Sequence, residues 1–308
     1  MVSFLGRDIL STRDFSKKEI EQILKLAEDF LPYARKEKSS KLLDGKVLAT
    51  LFCEPSTRTR LSFETAMLRL GGHVISMSGR ESSSLMKGES LWDMAKVVDQ
   101  FADVMVLRHP DKGSAHEMAK AAEVPVMNGG DGPGDHPTQA LLDVFTILKE
   151  KGKIEGLTVA MAGDLKFGRT VHSLVYLLEH FKVKMVFVAP EKLQMPEEIL
   201  AELKAKKVDF VEMENLSQGL KDVDVVYMTR IQKERFDSPA EYERLKDCCI
   251  LDRAMVEKFN PGVTIMHPLP RVNEISTDVD ELPGAAYFRQ VQNGVAVRMA
   301  LLAMVLGK

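Results

Sequence analysis

Cysteine is scarce in this sequence: there are three residues, Cys53, Cys248 and Cys249, and the adjacent pair is poorly placed for ordinary disulfide geometry. A disulfide scaffold is therefore not expected, and without a C-x-x-C spacing neither is a zinc knuckle. Long apolar runs are missing too. The stretch 299–306 is one of the longest and falls well short of the ~20 residues a bilayer requires. No membrane partner is expected. The opening residues Met-Val-Ser-Phe-Leu-Gly-Arg-Asp carry charge too early for a signal peptide, so the expected location is cytoplasmic. Charge of one sign is also lacking: the net charge of −3 argues against a nucleic-acid binder that works by neutralising phosphates. Neither a low-complexity tract nor a solenoid period occurs.

What is present is an ordinary globular composition, 45% apolar and 28% charged, in a chain about twice the length of a typical domain. Short β-rich runs alternate with longer amphipathic stretches, the pattern of an α/β protein with parallel strands. Strands are expected at 46–52, 73–77, 103–107 and 124–127, then at 157–161, 184–189, 208–211, 223–228 and 262–266. Ser16 with Glu19, and Ser90 with Asp93, read as capping boxes that open helices. A helix at 56–70 stops at Gly71-Gly72, one at 169–180 follows Gly168, Pro196 opens another, and 293–306 is an apolar helix. Residues 128–135, Asn-Gly-Gly-Asp-Gly-Pro-Gly-Asp, form the most turn-dense segment. It is the best candidate for a domain boundary, although a functional loop has the same composition.

The polar motifs follow strands, where parallel sheets place their ligands. Glu54-Pro-Ser-Thr-Arg-Thr-Arg60 joins a strand to a helix. A helix start exposes unpaired N–H groups and positive potential, to which Ser56, Thr57 and Thr59 add hydroxyls and Arg58 a bidentate cation. Arg108-His109-Pro110 occupies the same topological position. In Asp135-His136-Pro-Thr-Gln139 the imidazole and amide can point the same way. On spacing alone, His136 reads equally well as a helix-capping surface residue.

Gly163-Asp-Leu-Lys-Phe-Gly-Arg169 does not fit G-x-G-x-x-G, so no dinucleotide site is expected, and Arg169 can bind a carboxylate instead. Arg230 and Gln232 share a face if extended, though a solvated basic run is the simpler reading of that segment alone. In His267-Pro-Leu-Pro-Arg271 two prolines favour an extended backbone with carbonyls left as acceptors. The loop with Ser83, Ser84, Lys87 and Gly88 adds a cation. No metal-ligand spacing and no cofactor motif is present.

Taken together, Ser-Thr-Arg-Thr-Arg at 56, Arg-His-Pro at 108, His-Pro-Thr-Gln at 136 and His-Pro-Leu-Pro-Arg at 267 resemble the carbamoyltransferase family in type and order. Gly-Asp-Leu-Lys-Phe-Gly-Arg-Thr-Val-His-Ser at 163 and Met-Thr-Arg-Ile-Gln-Lys-Glu-Arg at 228 look like the members that use aspartate. Members that use ornithine typically carry Cys in the His-x-Leu-Pro segment and a Ser-Met-Gly motif. Here Pro268 stands in place of that Cys and Ser-Met-Gly is missing.

The resemblance implies two similar α/β domains, each a parallel β-sheet flanked by helices, linked by two helices. Residues 1–137 with about 290–308 would bind carbamoyl phosphate, and 138–289 aspartate. It implies that Ser56, Thr57, Arg58 and Thr59 hold the phosphate. Arg108 would touch phosphate and carbonyl, His136 with Thr59 would polarise the carbonyl, and Gln139 with the backbone of Leu269 and Pro270 would orient the carbamoyl amine. Arg58, Thr59, Arg108 and His136 are thus the catalytic set, while Lys87, Arg169, Arg230 and Gln232 would bind aspartate. Ser83 (or Ser84) and Lys87 would reach into a neighbouring subunit's site, making the unit a homotrimer with shared active sites. Separate regulatory chains remain open. The implied reaction is carbamoyl transfer to L-aspartate, with no cofactor, in pyrimidine biosynthesis.

Overall fold

The computed structural model describes residues 2–79, 88–236 and 238–308. By its internal contacts the chain divides into two units, Met1–Phe145 with Val291–Lys308, and Thr146–Gln290.

In unit 1 the Ser16 box forms as the sequence predicts: Glu19 N–H donates to Ser16 Oγ, and Ser16 N–H donates to Glu19 Oε2 at 2.7 Å. It opens α1 (Lys17–Ala34), whose Ile20, Ile23, Leu24 and Ala27 are buried at helical spacing. β1 (Val47–Phe52), α2 (Thr57–Arg69), β2 (His73–Ser78), α3 (Leu91–Val98), β3 (Val104–His109), α4 (Ser114–Ala121) and β4 (Val126–Asp131) follow. All strands pair in parallel, in the order β2-β1-β3-β4. Ala49, Leu51, Met105 and Leu107 meet Met94, Val98 and Met118 of α3 and α4 in one core cluster. The alternate residues of β1 face α2, where Thr50 Oγ1 donates to Glu64 Oε1 at 3.0 Å.

α5 (Pro137–Lys151) contains the boundary between Phe145 and Thr146. Unit 2 repeats the alternation with β5 (Thr158–Ala162), α6 (Arg169–Leu178), β6 (Lys184–Val188), α7 (Glu197–Ala205), β7 (Phe210–Met213), α8 (Leu216–Gly219), β8 (Val225–Met228), α9 (Pro239–Leu245), α10 (Arg253–Phe259) and β9 (Thr264–Met266). Its parallel sheet runs β7-β6-β5-β8-β9. Ala160, Val186, Val226 and Ile265 pack with Leu220 and Val256 into its core. α11 (Tyr287–Val305) contains the second boundary, so two helices link the units.

The glycine-rich segment is a finding the sequence concealed. Rather than a linker, Asn128 to Asp131 is the buried end of β4. A Cβ at Gly129 would lie 3.1 Å from Val106 and 3.2 Å from the Leu107 carbonyl, so a bare backbone lets β4 close on β3.

Both sheets use one device at their lower edge. Asp103, before β3, accepts the Val47 N–H of β1 at 2.8 Å, and Asp224, before β8, accepts the Thr158 N–H of β5 at 2.8 Å. Among the described residues, no helix is long and apolar enough to cross a membrane.

For Asp103, burial works against the carboxylate, but the Lys46 ammonium and the Val47 N–H outweigh it and hold the group below its ordinary value. Asp103→Asn should cost about 1 kcal/mol in urea unfolding at neutral pH, low for a charged hydrogen bond because water screens the pair. A lowered folded-state value means this stability is fully present above the ordinary carboxylate range, about 3.9, and is lost as pH falls through the lowered value. The gap between variant and parent should therefore close in acid.

Candidate active site

In unit 1 the chain runs outward in opposite directions from β1 and β3, which are neighbours in the sheet, so their carboxyl ends flank the switch point. β1 leads into Glu54-Pro-Ser-Thr-Arg-Thr-Arg60, and β3 ends in Arg108-His109. Ser56 precedes α2 in an extended conformation, and its hydroxyl makes no capping bond. Thr57 and Arg58 are exposed on the first turn, while Thr59 is buried. The Thr59 Oγ1 lies 3.5 Å from Nε2 of the buried His136. Thus two of the predicted site residues, 77 positions apart in sequence, meet.

Arg108 is braced by two acceptors. Its Nη2 pairs with Glu54 Oε1 at 2.6 Å and its Nη1 donates to the Gly129 carbonyl at 3.1 Å. Glu54 heads the predicted motif, yet its partner was not readable from local sequence. His136 is held through its backbone: its N–H donates to Asp135 Oδ1 at 2.7 Å. Asp135 Oδ2 accepts from Thr12 N–H, Thr12 Oγ1 and Ser11 Oγ at 2.7–2.9 Å. Asp131 accepts the N–H groups of Gly113 and Asp135. Gln139 lies in the first turn of α5, three residues after His136, and its Nε2 donates to Asp143 Oδ1 at 2.9 Å.

Unit 2 has the same plan. β5 and β8 are neighbours at its switch point, and they lead into 163–169 and 229–235. Asp164, fully buried, stitches these loops together. Its N–H donates to Thr229 Oγ1 at 3.0 Å, and its carboxylate accepts the N–H groups of Phe167 at 2.9 Å and Gln232 at 3.3 Å. Burial pushes the Asp164 carboxyl above its ordinary value, against those donors and the nearby Arg230 charge. Arg230 and Gln232 therefore both lie beside Asp164, and the half-buried Arg169 opens α6. Phe167 packs edge-on to Phe236, 6.2 Å between centroids, across the two loops.

The His-Pro-Leu-Pro-Arg segment follows β9 and departs from the expected extended run. Leu269 has φ of 55° and the Leu269–Pro270 peptide is cis. The reason is a local bond that the prolines do not reveal: Leu269 N–H donates to His267 Nδ1 at 2.7 Å and closes a tight turn. Downstream, Arg271 pairs with Asp280. Ser83, Ser84 and Lys87 lie outside the described residues. Among the described residues no group of three or more His, Cys, Asp or Glu is arranged to hold a metal ion.

Two parallel sheets, each carrying polar loops at its switch point, one of them with an anion-attracting helix start, define a two-domain α/β protein built to bind small ligands. Residues 7–149 match the carbamoyl-phosphate-binding domain of aspartate/ornithine carbamoyltransferases, and residues 155–305 match the aspartate/ornithine-binding domain. The chain belongs to the aspartate/ornithine carbamoyltransferase family. It is 52% identical over 307 residues to the aspartate carbamoyltransferase catalytic subunit of Methanosarcina mazei, covering 100% of this chain and 99% of that one. A crystal structure of the Methanocaldococcus jannaschii aspartate transcarbamoylase catalytic subunit superposes with a TM-score of 0.92 at 51% identity, covering 97% of this chain and 98% of that one. The Trypanosoma cruzi aspartate transcarbamoylase in complex with carbamoyl phosphate and aspartate gives a TM-score of 0.92 at 41% identity, with 98% of each chain covered.

The loop crossing in unit 2 depends on Gly163, whose φ is +115° and where a Cβ would lie 2.2 Å from the Thr229 carbonyl. Gly163→Ala is expected to cost at least about 2 kcal/mol in urea unfolding. A change below about 0.5 kcal/mol, the range of an ordinary surface substitution, would contradict this close approach.

Proposed function

We propose that the protein transfers the carbamoyl group of carbamoyl phosphate to the amine of L-aspartate, releasing phosphate and N-carbamoyl-L-aspartate. The observation that carries this reading is the placement of the family motifs at or after the carboxyl ends of parallel strands in both units, four of them at the switch-point strands β1, β3, β5 and β8 and two after the edge strands β4 and β9. Family membership and the ligands of the Trypanosoma cruzi protein support the substrates.

In this reading unit 1 takes carbamoyl phosphate. The α2 start, with Ser56, Thr57, Arg58 and Thr59, grips the phosphate through hydroxyls, backbone N–H groups and one guanidinium. Arg108, held by Glu54, reaches the phosphate and the carbonyl oxygen, and His136 with Thr59 polarises that carbonyl. Gln139 and the backbone of Leu269 and Pro270 orient the carbamoyl amine. Unit 2 takes aspartate: Arg169 and Arg230 match its two carboxylates, with Gln232 beside them, and these cations would repel the ammonium of an ornithine side chain. The neutral amine attacks the carbonyl, and the oxyanion forms against Arg108, His136 and Thr59. The phosphate then leaves toward Arg58 and accepts the proton, since no side-chain base stands out in the set. Orientation and oxyanion stabilisation supply the rate.

The assembly we propose is a homotrimer in which Ser83 and Lys87 enter a neighbour's site and Lys87 also meets aspartate. The setting is cytoplasmic pyrimidine biosynthesis. Three cysteines without a disulfide are in keeping with a reducing compartment. Sedimentation should give three times 34.4 kDa for the chain alone.

Purified protein given both substrates should form carbamoyl aspartate in a colorimetric assay, and no product would defeat the reading. Arg230→Ala should raise KM for aspartate roughly ten- to hundredfold while carbamoyl phosphate binding persists; unchanged aspartate kinetics would point to another acceptor. Arg108→Ala should lower kcat about 10²–10³-fold. His136→Ala should lose rate yet keep both limbs of its pH profile, whereas loss of one limb would make His136 the base.

A further inference from the structure

The loop that follows β9 contains a buried histidine and a buried carboxylate to which the reaction outlined above gives no part. His267 and Glu274 have side chains only 1% and 2% exposed, and His267 Nε2 lies 2.7 Å from Glu274 Oε1. The other ring nitrogen, Nδ1, accepts the Leu269 N–H at 2.7 Å. An amide can only donate, so Nδ1 carries a lone pair and the ring proton sits on Nε2, directed at Glu274. Protonation of the ring would remove the acceptor that Leu269 uses.

Glu274 is itself held on both oxygens, since Oε2 accepts the N–H groups of Val272 and Asn273, each at 3.1 Å. Burial raises its carboxyl, but the His267 bond and the backbone donors outweigh this and keep it below its ordinary value. Gln290 Oε1 accepts the His267 N–H at 3.0 Å and fixes the ring's own backbone. The chain of bonds runs from Glu274 through the ring to the amide of Leu269. That residue sits in the left-handed region at φ 55°, a conformation a Leu holds only when its surroundings impose it. Among the described residues nothing donates to the carbonyls of Leu269 or Pro270.

We propose that His267 is a positioning residue: as the Nε2–H tautomer locked by Glu274, it fixes the Leu269 amide and so aims the Leu269 and Pro270 carbonyls at the carbamoyl NH2 group. This rests on the reading of those carbonyls as the contacts of the carbamoyl amine. A purely structural pair would hold the loop through the His267–Glu274 contact alone. The tautomer lock requires the Leu269 bond as well.

Two conservative variants separate these cases. In His267→Asn the amide oxygen falls near the position of Nδ1 and retains the acceptor for Leu269. In His267→Gln the side chain reaches the position of Nε2 and retains only the contact with Glu274. His267→Gln should lower kcat/KM for carbamoyl phosphate roughly hundredfold, the scale of a misplaced substrate contact, and His267→Asn should recover most of that loss. KM for aspartate should move less than threefold in either, an order-of-magnitude expectation for a group acting on the first substrate only. Long-range proton–nitrogen spectra of 15N-histidine-labelled protein should show His267 neutral with its proton on Nε2, a readout independent of turnover. Equal activity of the two variants, His267→Gln at the parental level, or a ring protonated on Nδ1 would each overturn the proposal. A parent protein without carbamoyl transfer would sink the reaction and this role together, whereas an active parent with an unaffected His267→Gln would sink only the role.

Discussion

A carboxylate removed from water is costly unless hydrogen-bond donors replace the solvent it has lost, and a backbone loop is costly to bury unless its N–H groups find acceptors. This protein solves both problems with one contact, repeated in both units. Asp135 accepts the N–H groups of Thr12 and His136, and Asp131 accepts those of Gly113 and Asp135. Asp164 accepts Phe167 and Gln232, and Glu274 accepts Val272 and Asn273. Each of these loops bears a candidate ligand residue or adjoins one. Charge-assisted bonds of this kind are about twice as strong as neutral ones, so the loops gain fixed geometry without regular secondary structure.

The arrangement also divides labour by charge. Anionic side chains are turned toward the protein's own backbone, and the candidate substrate contacts are cationic or neutral: arginines, a lysine, hydroxyls, amides, an imidazole and backbone carbonyls. Arg108 shows the two roles meeting. Its guanidinium is braced by Glu54 and the Gly129 carbonyl, which fixes the plane of a fork that would otherwise sample many rotamers. Holding a ligand group in place before substrate arrives reduces the entropy lost on binding.

Much of this was legible in the chain and some was not, for identifiable reasons. The Ser16–Glu19 box, the alternation of strands and helices, and the position of Glu54–Arg60 between β1 and α2 rest on local patterns, and the structure has most of them within a residue or two, although the last helix starts at Tyr287, well before the expected 293. The end of β4 was hidden because Asn128-Gly-Gly-Asp131 has turn composition, and only the close approach of Val106 and the Leu107 carbonyl gives a reason for glycine in a strand there. The short helices Pro239–Leu245 and Arg253–Phe259 are too brief to show a clear period. Of the site, the ligand residues were visible as motifs, but their supports were not. Asp135 meets Ser11 across 124 positions, and Asp164 meets Gln232 across 68. Even Glu274, seven residues from His267, gives no signal, because a turn and not a helix or strand brings them together.

The two switch points are alike in topology and differ in chemistry, and the difference follows from the groups they are proposed to hold. A phosphate is tetrahedral and offers acceptors in several directions. The first turn of a helix answers it with N–H groups converging from one side, and Ser56, Thr57 and Thr59 add hydroxyls that rotate to suit. A dicarboxylate is two planar forks set apart by a short chain. No single helix start matches it, and separate guanidiniums do, each on its own loop: Arg169 at the start of α6 and Arg230 after β8. Separate loops need a common anchor or their spacing drifts, and Asp164, bonded to both, supplies it. In unit 1 the helix itself sets the spacing of the donors. In unit 2 a buried carboxylate must do so.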